Sequence, residues 1–222
     1  MHIEPGIMDA AKITLSYGTG AAAAGYAAKT AWDMVKTSGI ATLALRSGIA
    51  TAGAFVFFQV LPHFSVGVSE VHFILGSTLF LMLGAAPAAI GLALALLAQG
   101  MLFAPTDLPQ YGANLTTLLV PLFAMMALAK TIIAPKTAYV DLTYGQTLKL
   151  STAYQGGVVA WVAFWAIYGQ GFGAASSVMA FGSAYMLVVL IEPLVDLACL
   201  AAAKSLRDAK AAGIFTPRLF NA

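Results

Sequence analysis

The stretch AASSVMAFGSAYMLVVLIEPLVDLACLAAA, Ala174 to Ala203, decides the fold class. A helix crosses the hydrocarbon core of a bilayer with about 20 apolar residues. This run is longer than that, and its only charges are Glu192 and Asp196. Five further runs of the same kind precede it. They are Leu148 to Tyr168, Gly112 to Ala134 (closed by Pro135-Lys136), Pro87 to Phe103 (closed by Pro105-Thr106-Asp107-Leu108-Pro109), Ile40 to Val60 with Arg46 inside it, and a first span starting near Met8. The first span passes through the small-residue stretch Gly18 to Ala28 and ends at Lys29, Trp32, Asp33 and Lys36. Composition agrees with this reading. The chain has 222 residues and 23.0 kDa, is 60 % hydrophobic and 9 % charged, and has a mean hydropathy of +0.87. A soluble domain carries about 25 % charged residues, so this chain cannot clothe a water-facing surface. A soluble enzyme and a disordered chain are thereby excluded. Eleven Lys/Arg against nine Asp/Glu give a net charge of +2, too even a balance for a nucleic-acid binder. One cysteine, Cys199, excludes a disulfide framework and a Cys-rich metal site.

Between the second and third long runs lies Leu61 to Glu70, where Pro, Gly and Ser cluster as in a loop. The following apolar segment, Val71 to Leu83, is short for a crossing. It reads as a short buried helix, with a hairpin turning at Gly84 to Pro87. Counting it gives seven crossings, and charge placement supports that count. With the N-terminus outside, the inner segments hold Lys29 and Lys36, then Lys130, Lys136 and Lys149, then Lys204, Arg207, Lys210 and Arg218. The outer loops around His63, Asp107 and Gly171 hold no Lys or Arg, and only Lys12 and Arg46 depart from the pattern. This is the positive-inside distribution. The expected fold is therefore an all-α membrane protein: one integral domain over residues 1–222, about seven transmembrane helices in one bundle, N-terminus outside, and a polar cytoplasmic tail over 204–222. Met1 to Gly6 is acidic before it is basic, unlike a secretory leader. Gly18/Ala22, Ala21/Gly25 and Gly48/Ala52 have the spacing that lets helices approach closely in lipid, which predicts tight packing of the first two spans.

Catalytic signatures are missing. Gly20 to Gly25 has the glycine spacing of a phosphate loop, but Tyr26 and Ala27 stand where Lys and Ser/Thr are required. No HExxH pair and no legible Ser/His/Asp arrangement occurs, so an enzyme is not expected. The chemistry lies in histidine. His2, His63 and His72 all fall on the expected outer side. Taken singly, each reads most simply as an interfacial polar residue. His2 is special by position: the Met1 amine, the His2 amide nitrogen and the His2 imidazole close two fused chelate rings around one ion. A fourth nitrogen from another histidine would complete a planar set, and tetragonal nitrogen ligation selects Ni(II) or Cu(II). The amine must lose its proton to bind, so affinity should fall on mild acidification. Residues 1–7 are thus a candidate metal-binding segment. Glu4, Glu70 and Asp107 are the outer acids. Glu192 and Asp196 are intramembrane acids and functional candidates by default; they could equally cap a Pro-kinked helix or pair with Arg46.

Four stretches resemble one family. Met1-His2-Ile3-Glu4-Pro5-Gly6 is similar to an M-H-I-P-(D/E)-G start, and Ser69-Glu70-Val71-His72 to an S-x-x-H element. Gln99-Gly100-Met101-Leu102-Phe103 with Leu108 and Gly112-Ala113-Asn114 is similar to Q-x-L-L-F…L…G-A-N, and Leu190 to Val195 to L-I-E-G-L-V. In this order they resemble the CbiM/NikM family, the substrate-specific membrane component of cobalt/nickel energy-coupling-factor (ECF) transporters. The resemblance implies a seven-helix fold in a bacterial cytoplasmic membrane, with the N-terminus inserted from the outer side and Ni(II) or Co(II) as bound substrate. It implies Met1, His2 and His72 as ligands, with Ser69, Glu70 and Asn114 in support, and gives His63 no ligand role. It implies an ATPase pair, a coupling membrane subunit and a small accessory membrane protein as partners, with no organic cofactor. The chain departs from the family where Glu4-Pro5 reverses the usual order, Tyr185 follows Ala184 in place of a histidine, Pro193 replaces glycine, and Pro62 to Gly67 is not P-x-P-G-G. A second reading, from a different class, is a non-transporting accessory or structural subunit of a larger membrane complex. A co-purifying ATPase would favour the first, and a respiratory or photosynthetic complex the second.

Overall fold

The computed structural model describes residue 3 and residues 6–206. Among these, seven α-helices follow in order: α1 Ala10–Ser38, α2 Ile40–Phe55, α3 Gly76–Leu83, α4 Ala85–Leu102, α5 Tyr111–Ile132, α6 Tyr144–Gln170 and α7 Ala175–Ser205. A π-helical turn, Val56–Val60, extends α2, so that the second apolar run is helical to its last residue. Local chemistry sets the boundaries. Asp9 caps α1 by accepting the Lys12 amide at 3.0 Å. That bond, with the Lys12 ammonium beside it, lowers the Asp9 pKa. Thr143 and Gln146 close a reciprocal capping box on α6. Between α3 and α4 the backbone turns at Gly84 with φ +102°, a conformation in which a side chain would be strained.

α2 packs chiefly on α4, and α1 on α5; α5, α6 and α7 then follow one another around the bundle. Trp165, Tyr139, Tyr154, Tyr185 and Phe58 are the largest fully buried side chains. Among the described residues, four helical stretches are long and apolar enough to cross a membrane: Ile40–Val60, Ala85–Leu102, Pro105–Ile132, and Tyr144–Ser205, which holds both α6 and α7.

Three expectations need correction. The segment read as a loop holds regular structure within the otherwise helical chain: Phe64–Val66 (β1) and Ser69–Val71 (β2), which runs one residue past that segment, form an antiparallel hairpin with Ser65 opposite Glu70. The short helix starts at Gly76 rather than Val71, because the chain leaves β2 in extended form and passes through Leu75 at φ +57° first. The first two spans are not joined by their small-residue pairs. A Cβ on Gly18, Gly25 or Gly48 would meet nothing within 4 Å. The close approaches lie elsewhere: a Cβ on Gly112 of α5 would sit 2.5 Å from the Ser16 carbonyl of α1, and one on Gly91 of α4 would sit 2.4 Å from the Ala50 Cβ of α2. A small-residue spacing shows that close packing is available to a helix face, but not which helix takes it.

Candidate metal centre

The hairpin brings together the sequence elements singled out around the histidines. Its turn, Val66 to Ser69, is wedged against α7: a Cβ on Gly67 would fall 2.1 Å from the Ser177 carbonyl. On its other side Ser69, fully buried, makes an isolated antiparallel bridge to Ile3. The Ile3 amide donates to Asn114 Oδ1 at 2.8 Å. Ile3 is itself fully buried and packs with Met8, Ala113 and Trp165. Two tryptophans close this seat. Trp161 and Trp165 both donate their indole N–H to Thr116 Oγ1, at 3.0 and 3.1 Å. The same hydroxyl donates to the Ala113 carbonyl at 2.8 Å, so its lone pairs and its proton are all used.

His72 lies three residues beyond Ser69 and is 2 % exposed, with its ring 5.1 Å from that of Phe58. Its Nδ1 is 2.9 Å from the Phe73 carbonyl oxygen. A carbonyl can only accept, so Nδ1 carries the proton and the ring's lone pair is on Nε2. Glu70 faces His63, with Oε1 3.7 Å from His63 Nδ1 at the partly exposed side of the hairpin. Met1 and His2, the other two expected ligands, lie outside the described residues, as do Glu4 and Pro5. Among the described residues no three His, Cys, Asp or Glu side chains gather in a metal-holding group.

The intramembrane acids do not have Arg46 among their partners. Glu192 is 1 % exposed and accepts the backbone N–H groups of Ile74 and, at 3.0 Å, Leu75. It also accepts Gln155 Nε2, and Gln155 Oε1 in turn accepts the Tyr185 hydroxyl at 2.7 Å. One turn further along α7, Asp196 accepts the hydroxyls of Ser77 and Thr78, both at 2.5 Å, and Ser77 lies 3.3 Å from Ser151. Both carboxylates thus serve the entry to α3, where the helix's positive end favours negative charge. The left-handed Leu75 costs about 1 kcal/mol for a residue with a Cβ, and the two amide bonds to Glu192 hold the backbone that leads into it. Beyond the spans, the buried Tyr139 hydroxyl has its pKa pushed up by burial first and then by the charge of Asp196. Sequence reasoning missed Gln155, Ser77, Thr78 and Ser151. A single amide or hydroxyl in an apolar run belongs to no motif.

The chain is similar to proteins already known. The family model described as the cobalt uptake substrate-specific transmembrane region, CbiM, matches residues 2–209. No curated protein matches. Among solved structures, a protein described as a truncated transition metal transporter is similar at 19 % identity, with 91 % of this chain and 99 % of that chain covered and a TM-score of 0.67. Identity that low carries the fold alone. With nearly the whole length matched, the chain belongs to the CbiM family of cobalt uptake substrate-specific transmembrane regions.

Proposed function

We propose that this chain is the substrate-binding membrane component of a nickel or cobalt uptake system in a bacterial cytoplasmic membrane. It holds the ion through the Met1 amine, the His2 amide nitrogen and imidazole, and His72 Nε2, and is driven by a separate ECF ATPase pair acting through a coupling membrane subunit, with a small accessory membrane protein beside them. The observation that carries this is the burial of Ile3 between Ser69 and Asn114. Two residues span at most about 7 Å, so ligation by Met1 requires Ile3 to be seated near the strand that leads into His72, as it is. Ser69 and Asn114 are then seats for the N-terminal segment rather than ligands. Glu70, facing His63, adds negative charge at the mouth. No phosphate loop is legible in the chain, which is why the energy is assigned to partner subunits.

The proposed topology has seven crossings, with the N-terminus outside and the tail within. α3 has eight residues and is too short to cross alone. Together with the extended residues before it, it reaches roughly 28 Å, close to the thickness of a hydrocarbon core. Extended backbone at that depth is tolerated where protein satisfies it, and Glu192 bonds two of its amides.

The test is a Ni(II) and Co(II) titration of purified, untagged protein against the same protein carrying two extra residues before Met1. Extension turns the amine into an amide. Loss of a direct ligand should weaken binding by more than the 10- to 100-fold typical of a supporting residue. An extended chain that binds both metals as tightly as the untagged one overturns the site. Elemental analysis of the untagged protein identifies the ion.

A further inference from the structure

Glu192 reaches the candidate ligand His72 across a single peptide group. The Ile74 N–H that donates to Glu192 and the Phe73 C=O that faces His72 Nδ1 belong to the same planar amide. The chain of contacts therefore runs from the Tyr185 hydroxyl to Gln155, from Gln155 to the Glu192 carboxylate, from the carboxylate through the Phe73–Ile74 peptide, and from there to the imidazole. Tyr185, Gln155 and Glu192 are all buried, with at most 1 % exposure. Two series of hydrogen bonds converge on the carboxylate, one through Gln155 and one through the Phe73–Ile74 peptide, and bonds within a series polarise one another in a low-dielectric interior. A carboxylate pulling on the N–H end of an amide makes its carbonyl a stronger acceptor at the other end.

We propose that Glu192 is a positioning residue for metal capture: through the Phe73–Ile74 peptide it holds His72 in the Nδ1-protonated tautomer, aims the ring, and strengthens Nε2 as a donor to the incoming divalent ion. The inference rests on His72 being a ligand. Ligand histidines commonly donate their second nitrogen to a carboxylate or a carbonyl that fixes the tautomer. Here one amide lies between imidazole and carboxylate. The second amide bond, from Leu75, keeps the carboxylate from rotating away and pins the left-handed turn, so the peptide plane has one orientation.

Gln155 accepts from Tyr185 through its oxygen and so presents its NH2 group to Glu192. A glutamine at 192 would need its own oxygen to face the Ile74 and Leu75 amides and the Gln155 amide at once. Its NH2 would then oppose at least one other donor, and the grip on the Phe73–Ile74 peptide would loosen without a change in side-chain volume.

The experiment combines Ni(II) titration with 15N NMR of histidine-labelled, metal-free protein, which separates the two imidazole tautomers. In the unsubstituted protein His72 is expected as the Nδ1–H form. Glu192→Gln should weaken Ni(II) binding about 10- to 100-fold, the range found for groups that orient ligands, and should let the Nε2–H form appear. Tyr185→Phe, which frees Gln155 to turn and so loosens the seat of the carboxylate, should weaken binding by a smaller factor in the same direction. His72→Ala is the control for the underlying reading. If it leaves Ni(II) binding intact, His72 is no ligand and the site itself fails. If His72→Ala abolishes binding while Glu192→Gln binds as tightly as the parent with His72 still Nδ1-protonated, the site stands and the role of Glu192 is overturned. Should Glu192→Gln not fold, the parent spectrum decides: an Nε2–H tautomer at His72 overturns the proposal.

Discussion

Glu192 and Asp196 sit one turn apart on the same face of α7, equally buried, and bind different kinds of partner. Glu192 takes two backbone amides from a segment that has no regular structure, and one carboxamide from α6. Asp196 takes two hydroxyls from the first turn of a formed helix. The difference separates two tasks that the sequence presents as one pair of acids. A carboxylate on backbone amides fixes the path of a chain that would otherwise have several. A carboxylate on hydroxyls anchors an element that already has its shape. In the proposed account Glu192 therefore belongs with the metal site, and Asp196 with the scaffold one turn away.

The sharpest way to break that division is to remove Asp196. Asp196→Ala leaves the Ser77 and Thr78 hydroxyls buried without their acceptor. Hydrogen bonds to a charged group are worth about 1.5–3 kcal/mol each, and a loss of about 2–3 kcal/mol lowers the unfolding temperature of a chain this size by roughly 5–10 °C. Thermal unfolding in detergent, followed by tryptophan fluorescence, should show that fall, while Ni(II) affinity of the folded protein changes less than about threefold. A large loss of affinity with unchanged unfolding temperature would reverse the assignment of the two acids.

A smaller effect is expected where the N-terminal segment is seated. Asn114→Ala removes the acceptor of the Ile3 amide. One buried hydrogen bond of about 1–1.5 kcal/mol corresponds to roughly a tenfold change in an equilibrium constant. Isothermal titration with Ni(II) should show affinity down by about that factor, with little change in unfolding temperature. Such a result places Asn114 with Glu192; a stability loss without an affinity loss would place it with Asp196.

The spans and the site were unequally legible in the sequence. α2 with its π turn covers the predicted Ile40 to Val60 run residue for residue, and α7 agrees with its predicted run to within two residues at each end, because long apolar runs with few charges have one physical solution in a membrane. Glu192 was visible as an acid where acids are costly. Its partners were not: Gln155 and Tyr185 on other helices, and the amides of Ile74 and Leu75, are fixed only by tertiary packing. Within Val71 to Leu83 the short buried helix and its turn at Gly84 were legible, but its start was not, for a specific reason. A short apolar run has no period that tells an extended stretch from a buried helix, and the change from one to the other at Leu75 depends on a left-handed turn that nothing in Phe73-Ile74-Leu75 announces. The glycines misled similarly, since Gly112 meets Ser16 across nearly a hundred residues of chain.

The central claim is that the N-terminal segment folds in beside His72 to bind a transition ion by nitrogen. X-ray absorption at the nickel edge of the Ni(II)-loaded, untagged protein tests it most directly. The prediction is a four-coordinate, tetragonal shell of nitrogen neighbours with the outer-shell scattering of imidazole rings. A six-coordinate shell of oxygen neighbours without imidazole scattering would contradict it.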